Sequence, residues 1–339
     1  MHDIREGRLL RPDGRTVAWS ECGVRGGRPV LRLPGTPGSR FSLQADETLW
    51  IERGLRVIVV ERPGFGVSTR LPGRGFAEHA DDLAAILDHL GIERLPVYGG
   101  SGAAPHVLAF AARHPERVAA CTIIDGAAPL TDAEVHQQVD FNVTGDGLAR
   151  AGDVETLRAM LVQARASILA DPLTEILTIM AGAPPEDQAI MADPAWREST
   201  ALGWCEALAP GADGWLDESL AINGDWSDID LDAVAASVTW WQGDADRNCP
   251  FSAAQRLVAR LPRARLVVWP EAGHLTGYRR EPEILDELLA RAGTAAPGAS
   301  QAASPAAAPG ASQAASPAAA PDNPAAPRGA TAWWPIPAR

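Results

Sequence analysis

Lysine is missing from the sequence altogether, so the 30 basic side chains among its 339 residues are all arginine. That bias marks a GC-rich genome and carries no chemistry. Cysteine is sparse. The four present (Cys22, Cys121, Cys205 and Cys249) have neither CxxC nor metal-ligand spacing, which excludes a disulfide framework and leaves isolated, reduced thiols. No apolar run approaches the about 18 uninterrupted residues that a bilayer-spanning helix needs. The opening MHDIREGRLL is too charged for the apolar core of a secretory signal. The expected compartment is therefore the cytoplasm, with no membrane association. Positive charge is also in deficit: a formal net charge of -13 argues against nucleic acid as a partner, which requires a basic face.

The last stretch of the chain, 293–339, is almost entirely Ala, Pro, Ser, Gly and Gln. Within it PGASQAASPAAA at 297–308 returns at 309–320. The repeat is too short for a solenoid and has no large apolar side chain to bury, so it reads as a flexible, disordered linker. Its terminal ATAWWPIPAR, with Trp333, Trp334 and Ile336, reads either as a loose end or as a docking peptide. The peptide would serve a protein partner or the chain's own surface.

Ahead of that tail, short apolar runs alternate with helical patterns. Strands are expected at 16–21, 30–33, 55–60, 96–99 and 118–125, with helices at 77–90 and 103–114. The run LRVIVV at 55–60 is continuous and β-branched, as in a strand buried on both faces of a parallel sheet. Residues 130–230 show helical patterns, such as 154–170 and 173–180, and no convincing strand. The sheet resumes at 238–242 and 265–269, with helices at 252–261 and 283–292. This predicts a doubly wound, mostly parallel α/β sheet. The expected division is a core at 1–129, a helical cap at 130–230, a second core segment at 231–292 and the disordered tail. A helical layer inserted there sits over the strand ends where open α/β sheets bind ligands.

The strongest local signal is Tyr98-Gly99-Gly100-Ser101-Gly102-Ala103, placed where a strand gives way to a helix. G-x-S-x-G in that context makes a strained turn that lifts the serine hydroxyl above the sheet. The competing reading is a Gly-rich loop that cradles a phosphate. A serine hydroxyl needs a base. Of seven histidines, His2 is terminal, His136 is in the presumptive cap, and His79, His89, His106 and His114 lie on or beside helices. His106 is the main rival but turns away from the serine, which suits packing. Only His274 follows the last strand, in PEAGHL. An acid orienting the imidazole should also follow a strand; Asp246, Asp244 and Asp125 all qualify. Two backbone N–H donors should face the developing oxyanion: Gly102, after the serine, and Thr36 in LPGTPGSR, since Pro37 has no N–H.

These segments, taken in order, resemble the α/β-hydrolase superfamily of serine hydrolases. LPGTPGSR is similar to its HGxPG segment and ERPGFGVS at 61–68 to its (D/E)xxGxGxS segment. YGGSGAAPHVLAFAARHPERV resembles the nucleophile elbow with its helix, GDADRNCP the acid loop and PEAGHL the histidine loop. The resemblance covers roughly 14–292, and the order Ser101, Asp, His274 is that of the family. It implies a Ser101–Asp246–His274 triad with Asp246 as the acid. Two departures stand out: Pro34 replaces the usual histidine before the oxyanion glycine, and Ala103 replaces the last elbow glycine. The GFG at 64–66 does not make a dinucleotide fingerprint, because the third glycine is absent and no helix follows at the required spacing.

Ser101 argues against dehalogenase and epoxide hydrolase relatives, which resemble this chain but carry Asp in the elbow. Gly102 argues against proline iminopeptidases, which carry Trp after the serine. Ester, thioester or lactone hydrolysis, acyl transfer, C–C hydrolysis and cofactor-free perhydrolase chemistry remain; the expectation is the commonest, hydrolysis of a carboxylic ester, thioester or lactone of a small, mostly apolar substrate through an acyl-enzyme. The alternative is acyl transfer in a specialised biosynthetic pathway. Trp196, Trp204, Trp215 and Trp226 either hold the cap together or line an apolar pocket. No metal and no organic cofactor is implied.

Overall fold

A computed structural model describes residues 4–294; the repeat, Trp333 and Trp334 lie outside the described residues, as does His2. Eight strands form one sheet: β1 (Arg5–Leu10), β2 (Thr16–Gly23), β3 (Arg28–Leu33), β4 (Leu55–Val60), β5 (Leu95–Gly100), β6 (Val118–Ile124), β7 (Val238–Gly243) and β8 (Ala264–Trp269). Their spatial order is β1-β2-β4-β3-β5-β6-β7-β8. From β4 to β8 neighbouring strands are parallel, while β1 and β2 run antiparallel at one edge. The strands at 16–21, 30–33 and 55–60 fall inside β2, β3 and β4. β1 is not expected from the sequence. Its burial alternates between half-buried and exposed along REGRLL, so it lacks the apolar run that marks the central strands.

Helices cover both faces of the sheet. On one face α2 (Ala77–His89), α3 (Ala104–Arg113) and α11 (Phe251–Val258) pack on Leu31, Ile58, Val97 and Trp240. On the other, α1 (Thr48–Glu52) and α12 (Thr276–Thr294) pack on Val30, Val57, Val59 and Tyr98. Adjacent residues of one strand thus enter opposite cores, which explains why LRVIVV is apolar at nearly every position. The last helix begins at Thr276 and runs through Pro282. The expected start at 283 fails because proline is an ordinary stop signal, overridden here by the packing of Ile284, Leu285 and Leu288.

Between β6 and β7 lie seven helices and no strand: α4 (Asp132–Val135), α5 (Asp140–Ala151), α6 (Val154–Ala170), α7 (Pro172–Ile179), α8 (Pro185–Ala192), α9 (Pro194–Leu208) and α10 (Asp213–Asn223). Aspartates start three of them. The side chains of Asp153, Asp171 and Asp193 accept N–H bonds from the first turns of α6, α7 and α9, filling donors that a helix start leaves unpaired. Leu157, Leu161, Leu208, Trp215 and Leu216 give this layer an apolar interior, which Phe65 enters from the core. Where α10 crosses the loop after β4, a Cβ on Gly214 would sit 2.2 Å from the Gly64 carbonyl oxygen. Only glycine permits two backbones to approach so closely. Among the described residues, no helix is long and apolar enough to cross a membrane.

Candidate active site

Ser101 follows the last residue of β5 and opens a single 3-10 turn, Ser101–Ala103, that leads into α3. Its φ of 55° lies in the left-handed region, where a residue with a Cβ is strained by roughly 1–3 kcal/mol. Only two other non-glycine residues have positive φ among the described residues: Asp125 (45°) and Glu271 (57°). They follow β6 and β8, so all three sit just past the carboxyl ends of sheet strands. Glycine at 102 is dictated by proximity, because a Cβ there would lie 2.2 Å from Thr36 Oγ1. The elbow and the loop after β3 therefore press directly on one another, with the Thr36–Pro37 peptide cis. Ala103 in place of glycine is fully buried and accommodated.

His274 and Asp246 meet across the loops after β8 and β7. His274 Nδ1–H donates to Asp246 Oδ2 over 2.9 Å. Three further donors hold the carboxylate: Gln242 Nε2 at 2.9 Å on Oδ2, and the N–H groups of Asn248 (2.7 Å) and Cys249 (2.9 Å) on Oδ1. Burial by itself would depress the imidazole; the Asp246 carboxylate overcomes it and holds the His274 pKa well above the usual 6.5. Asp246, Cys249 and His274 are also the one described cluster whose potential metal-ligating atoms lie within 4.8 Å of each other. Both Asp246 oxygens are already engaged by four N–H donors.

The other two acid candidates do different work. Asp244 turns outward and its Oδ1 accepts the Glu271 N–H at 2.6 Å, fixing the start of the histidine loop. Asp125 is buried, and its Oδ1 accepts the Gly243 N–H at 2.8 Å. Burial, reinforced by the Asp246 carboxylate, pushes the Asp125 carboxyl well above the ordinary range. Both causes oppose a second negative charge beside the imidazole. Its Oδ2 has no hydrogen-bond partner.

Nothing local in the sequence marks Asp187. This buried side chain of α8 accepts the N–H groups of His274 and Leu275, both at 2.8 Å. A helix of the insertion thus holds the histidine loop from above. The pair is separated by 87 residues, too far for any motif to register. His106 is not simply a packing residue: its Nε2 bonds to Glu218 at 2.9 Å and its Nδ1 faces His79 Nδ1 at 3.0 Å. It is fully buried, and its hydrogen-bond partners are His79 and Glu218.

Ser101, Gly102, Thr36 and His274 border one cavity of about 260 Å3 beneath the insertion. Leu157, Ile176, Trp204 and Trp215 form much of its apolar wall, and Asn142, Asp146 and Asn223 a polar patch. Of Trp196, Trp204, Trp215 and Trp226, Trp204 and Trp215 therefore line the cavity. Trp196 packs edge-on against Tyr278 (4.9 Å) and Trp226 against Phe76 (5.5 Å), as structural side chains.

A strand-turn-helix serine, a histidine after the last strand and a cavity under inserted helices define a class, and sequence comparison agrees. The profile of the alpha/beta hydrolase fold family matches residues 28–278, and the chain belongs to that family. It is 30% identical over 284 residues to the dihydrolipoyllysine-residue acetyltransferase component of an acetoin cleaving system from Pseudomonas putida, covering 82% of this chain and 66% of that one. It is 29% identical over 126 residues to a bifunctional esterase/perhydrolase from Acinetobacter calcoaceticus, covering 37% and 46% respectively. The chain thus spans less than two thirds of the length of either relative. Among solved structures, a thermophilic esterase from Thermogutta terrifontis superposes with a TM-score of 0.61 at 21% identity, covering 86% of this chain and 100% of that one. That last likeness is one of fold.

Proposed function

We propose that this chain is a serine hydrolase that cleaves a carboxylic ester, thioester or lactone of a small, mostly apolar substrate. The observation that carries the reading is the convergence of Ser101, the His274–Asp246 pair and the Thr36/Gly102 contact on one apolar cavity. Neutral His274 takes the proton from Ser101 Oγ, which attacks the carbonyl carbon. The N–H groups of Thr36 and Gly102 receive the charge that develops on the carbonyl oxygen. Asp246 stabilises the imidazolium, which then protonates the leaving alcohol or thiol. Water, activated by the same imidazole, releases the acid and restores Ser101.

In this reading the helices between β6 and β7 act as a cap whose apolar wall receives the acyl chain. The cytoplasm is the expected compartment, and the four free cysteines are compatible with it. Acyl transfer is the second reading, favoured by the acetyltransferase component named above, and it would use the same acyl-enzyme.

An acyl-chain series of p-nitrophenyl esters tests both. Release of p-nitrophenol with kcat/KM changing across short and medium acyl chains is expected. Each methylene accommodated by the wall contributes a factor of about 4, from about 0.8 kcal/mol of burial. Acceleration by an added alcohol or amine acceptor, with acylated acceptor as product, would replace hydrolysis by transfer. Absence of any turnover, together with no labelling by a fluorophosphonate probe, would sink both.

A further inference from the structure

The loop that carries Thr36 lacks the histidine usual in this family, since residue 34 is proline. What supports it comes from the loop after β4. Arg62, 1% exposed, donates from Nη1 to the Pro34 carbonyl oxygen (2.9 Å) and from Nη2 to the Gly35 carbonyl oxygen (2.6 Å). The Gly35–Thr36 peptide is trans, and in a trans peptide C=O and N–H point in opposite directions. Drawing the Gly35 oxygen toward Arg62 therefore turns the Thr36 N–H the other way.

From these contacts we infer that Arg62, locked by Glu218, is a positioning residue that aims the Thr36 N–H at the substrate oxyanion. The inference rests on the hydrolase reading above, in which Thr36 is an oxyanion donor.

Glu218 is on α10 and fully buried. Its Oε1 lies 3.4 Å from Arg62 Nη1 and accepts from His106 Nε2 at 2.9 Å and from Thr36 Oγ1 at 3.4 Å. Its other oxygen accepts from Arg74. One carboxylate thus fixes Arg62 in the loop after β4, the Thr36 side chain in the loop after β3, and the helix after Ser101. Burial lowers the Arg62 pKa to about 10 and that of His106 to about 4, so at neutral pH the first is a cation and the second neutral. Arg62 and Arg74 against Glu218 leave one net positive charge buried beneath the loop. That sign favours an anion forming on its far side.

The test compares Arg62→Met, Arg62→Lys and Glu218→Gln with Arg70→Met. Arg70 also ties α10 to the core, through Asp213 and Asp217, but it makes no hydrogen bond to the Thr36 loop. Two ligands are measured alongside p-nitrophenyl ester turnover. A trifluoromethyl ketone adds Ser101 to form an anionic hemiketal, whereas the matching secondary alcohol occupies the cavity without charge. Arg62→Met is expected to lower kcat about 10- to 100-fold, below the roughly 100- to 1,000-fold effect of deleting a direct oxyanion donor. Its ketone affinity should fall by a similar factor, while KM and alcohol affinity stay within about 3-fold. Arg62→Lys should recover part of kcat, because one ammonium can hold one of the two carbonyls.

Arg62→Met retaining kcat within 2-fold would overturn the inference. Equal losses for ketone and alcohol, or a loss matched by Arg70→Met, would reduce Arg62 to a structural role and overturn it as well. If Arg62→Met does not melt cooperatively, the ketone-to-alcohol ratio in Arg62→Lys and Glu218→Gln decides by the same criterion. Wild-type protein that neither labels with a fluorophosphonate nor binds the ketone more tightly than the alcohol removes the hydrolase reading and this inference together. Wild type that does both, with unchanged ratios in all three variants, removes the inference alone.

Discussion

Ser101→Ala is expected to abolish covalent labelling by a fluorophosphonate and to lower kcat by a factor on the order of 10⁴ to 10⁶, with KM little changed. No neighbouring group can take over the attack. The thiol nearest the His274–Asp246 pair, Cys249, is raised to about 11 by burial and stays protonated. The substitution should leave the fold intact, because alanine tolerates a φ of 55° no better and no worse than serine. A thermal melt superimposable on wild type, beside a silent probe gel and a rate near the uncatalysed one, is the expected outcome. Residual labelling of the alanine protein at comparable speed would show that another residue is the nucleophile.

Asp246→Asn is expected to lower kcat by about 10⁴ and to shift the acidic limb of the pH–rate profile downward. In the proposed mechanism neutral His274 is the base, so activity should fall as pH drops through its pKa. Asp246 holds that pKa well above the usual 6.5, and the wild-type limb should therefore lie above that value. An asparagine removes the negative charge, so the imidazole keeps its proton less readily and the limb moves to lower pH. The rate is nonetheless poor, because an amide N–H facing Nδ1 drives the ring proton to Nε2, where the serine proton must go. Asp244→Asn should change kcat by only a few-fold, since its oxygen serves the Glu271 N–H. Profiles of kcat/KM against pH for wild type and the two variants distinguish these outcomes. Equal defects in both would reject Asp246 as the acid.

The central strands and the helices α2, α3 and α6 are readable from periodicity, because each of their residues reports one fixed environment. The elbow, the histidine loop and the acid loop are readable too, since strand-end loops need small residues and few others. Within the acid loop, the residues alone leave Asp244, Asp246 and Asp125 open, and resemblance points to Asp246. The hydrogen bond to His274 depends on how two loops face, which no spacing encodes. Asp187 and the Arg62–Glu218 pair are invisible for the same reason: each acts on backbone groups brought near only by folding. β1 escapes notice because an edge strand with one half-buried and one exposed face needs no apolar signature.

The parallel pairing of β6 with β7 has a further consequence. Cys121 pairs with Val238 and Ile124 with Trp241, although residues 125–237 intervene, where an ordinary crossover needs about 15–30. Closing the longer loop costs only about 1–2 kcal/mol more in chain entropy, because the penalty grows with the logarithm of length. An entire layer of helices can therefore be threaded between neighbouring strands with little thermodynamic resistance from the sheet. Apart from contacts such as Asp187 and Glu218 that reach back to the core loops, insertions there can vary in sequence and length while the serine and histidine stay fixed at the strand ends. On the proposed reading, freedom to accept a new acyl group lies in that loop, while the serine and histidine that would cleave it lie outside.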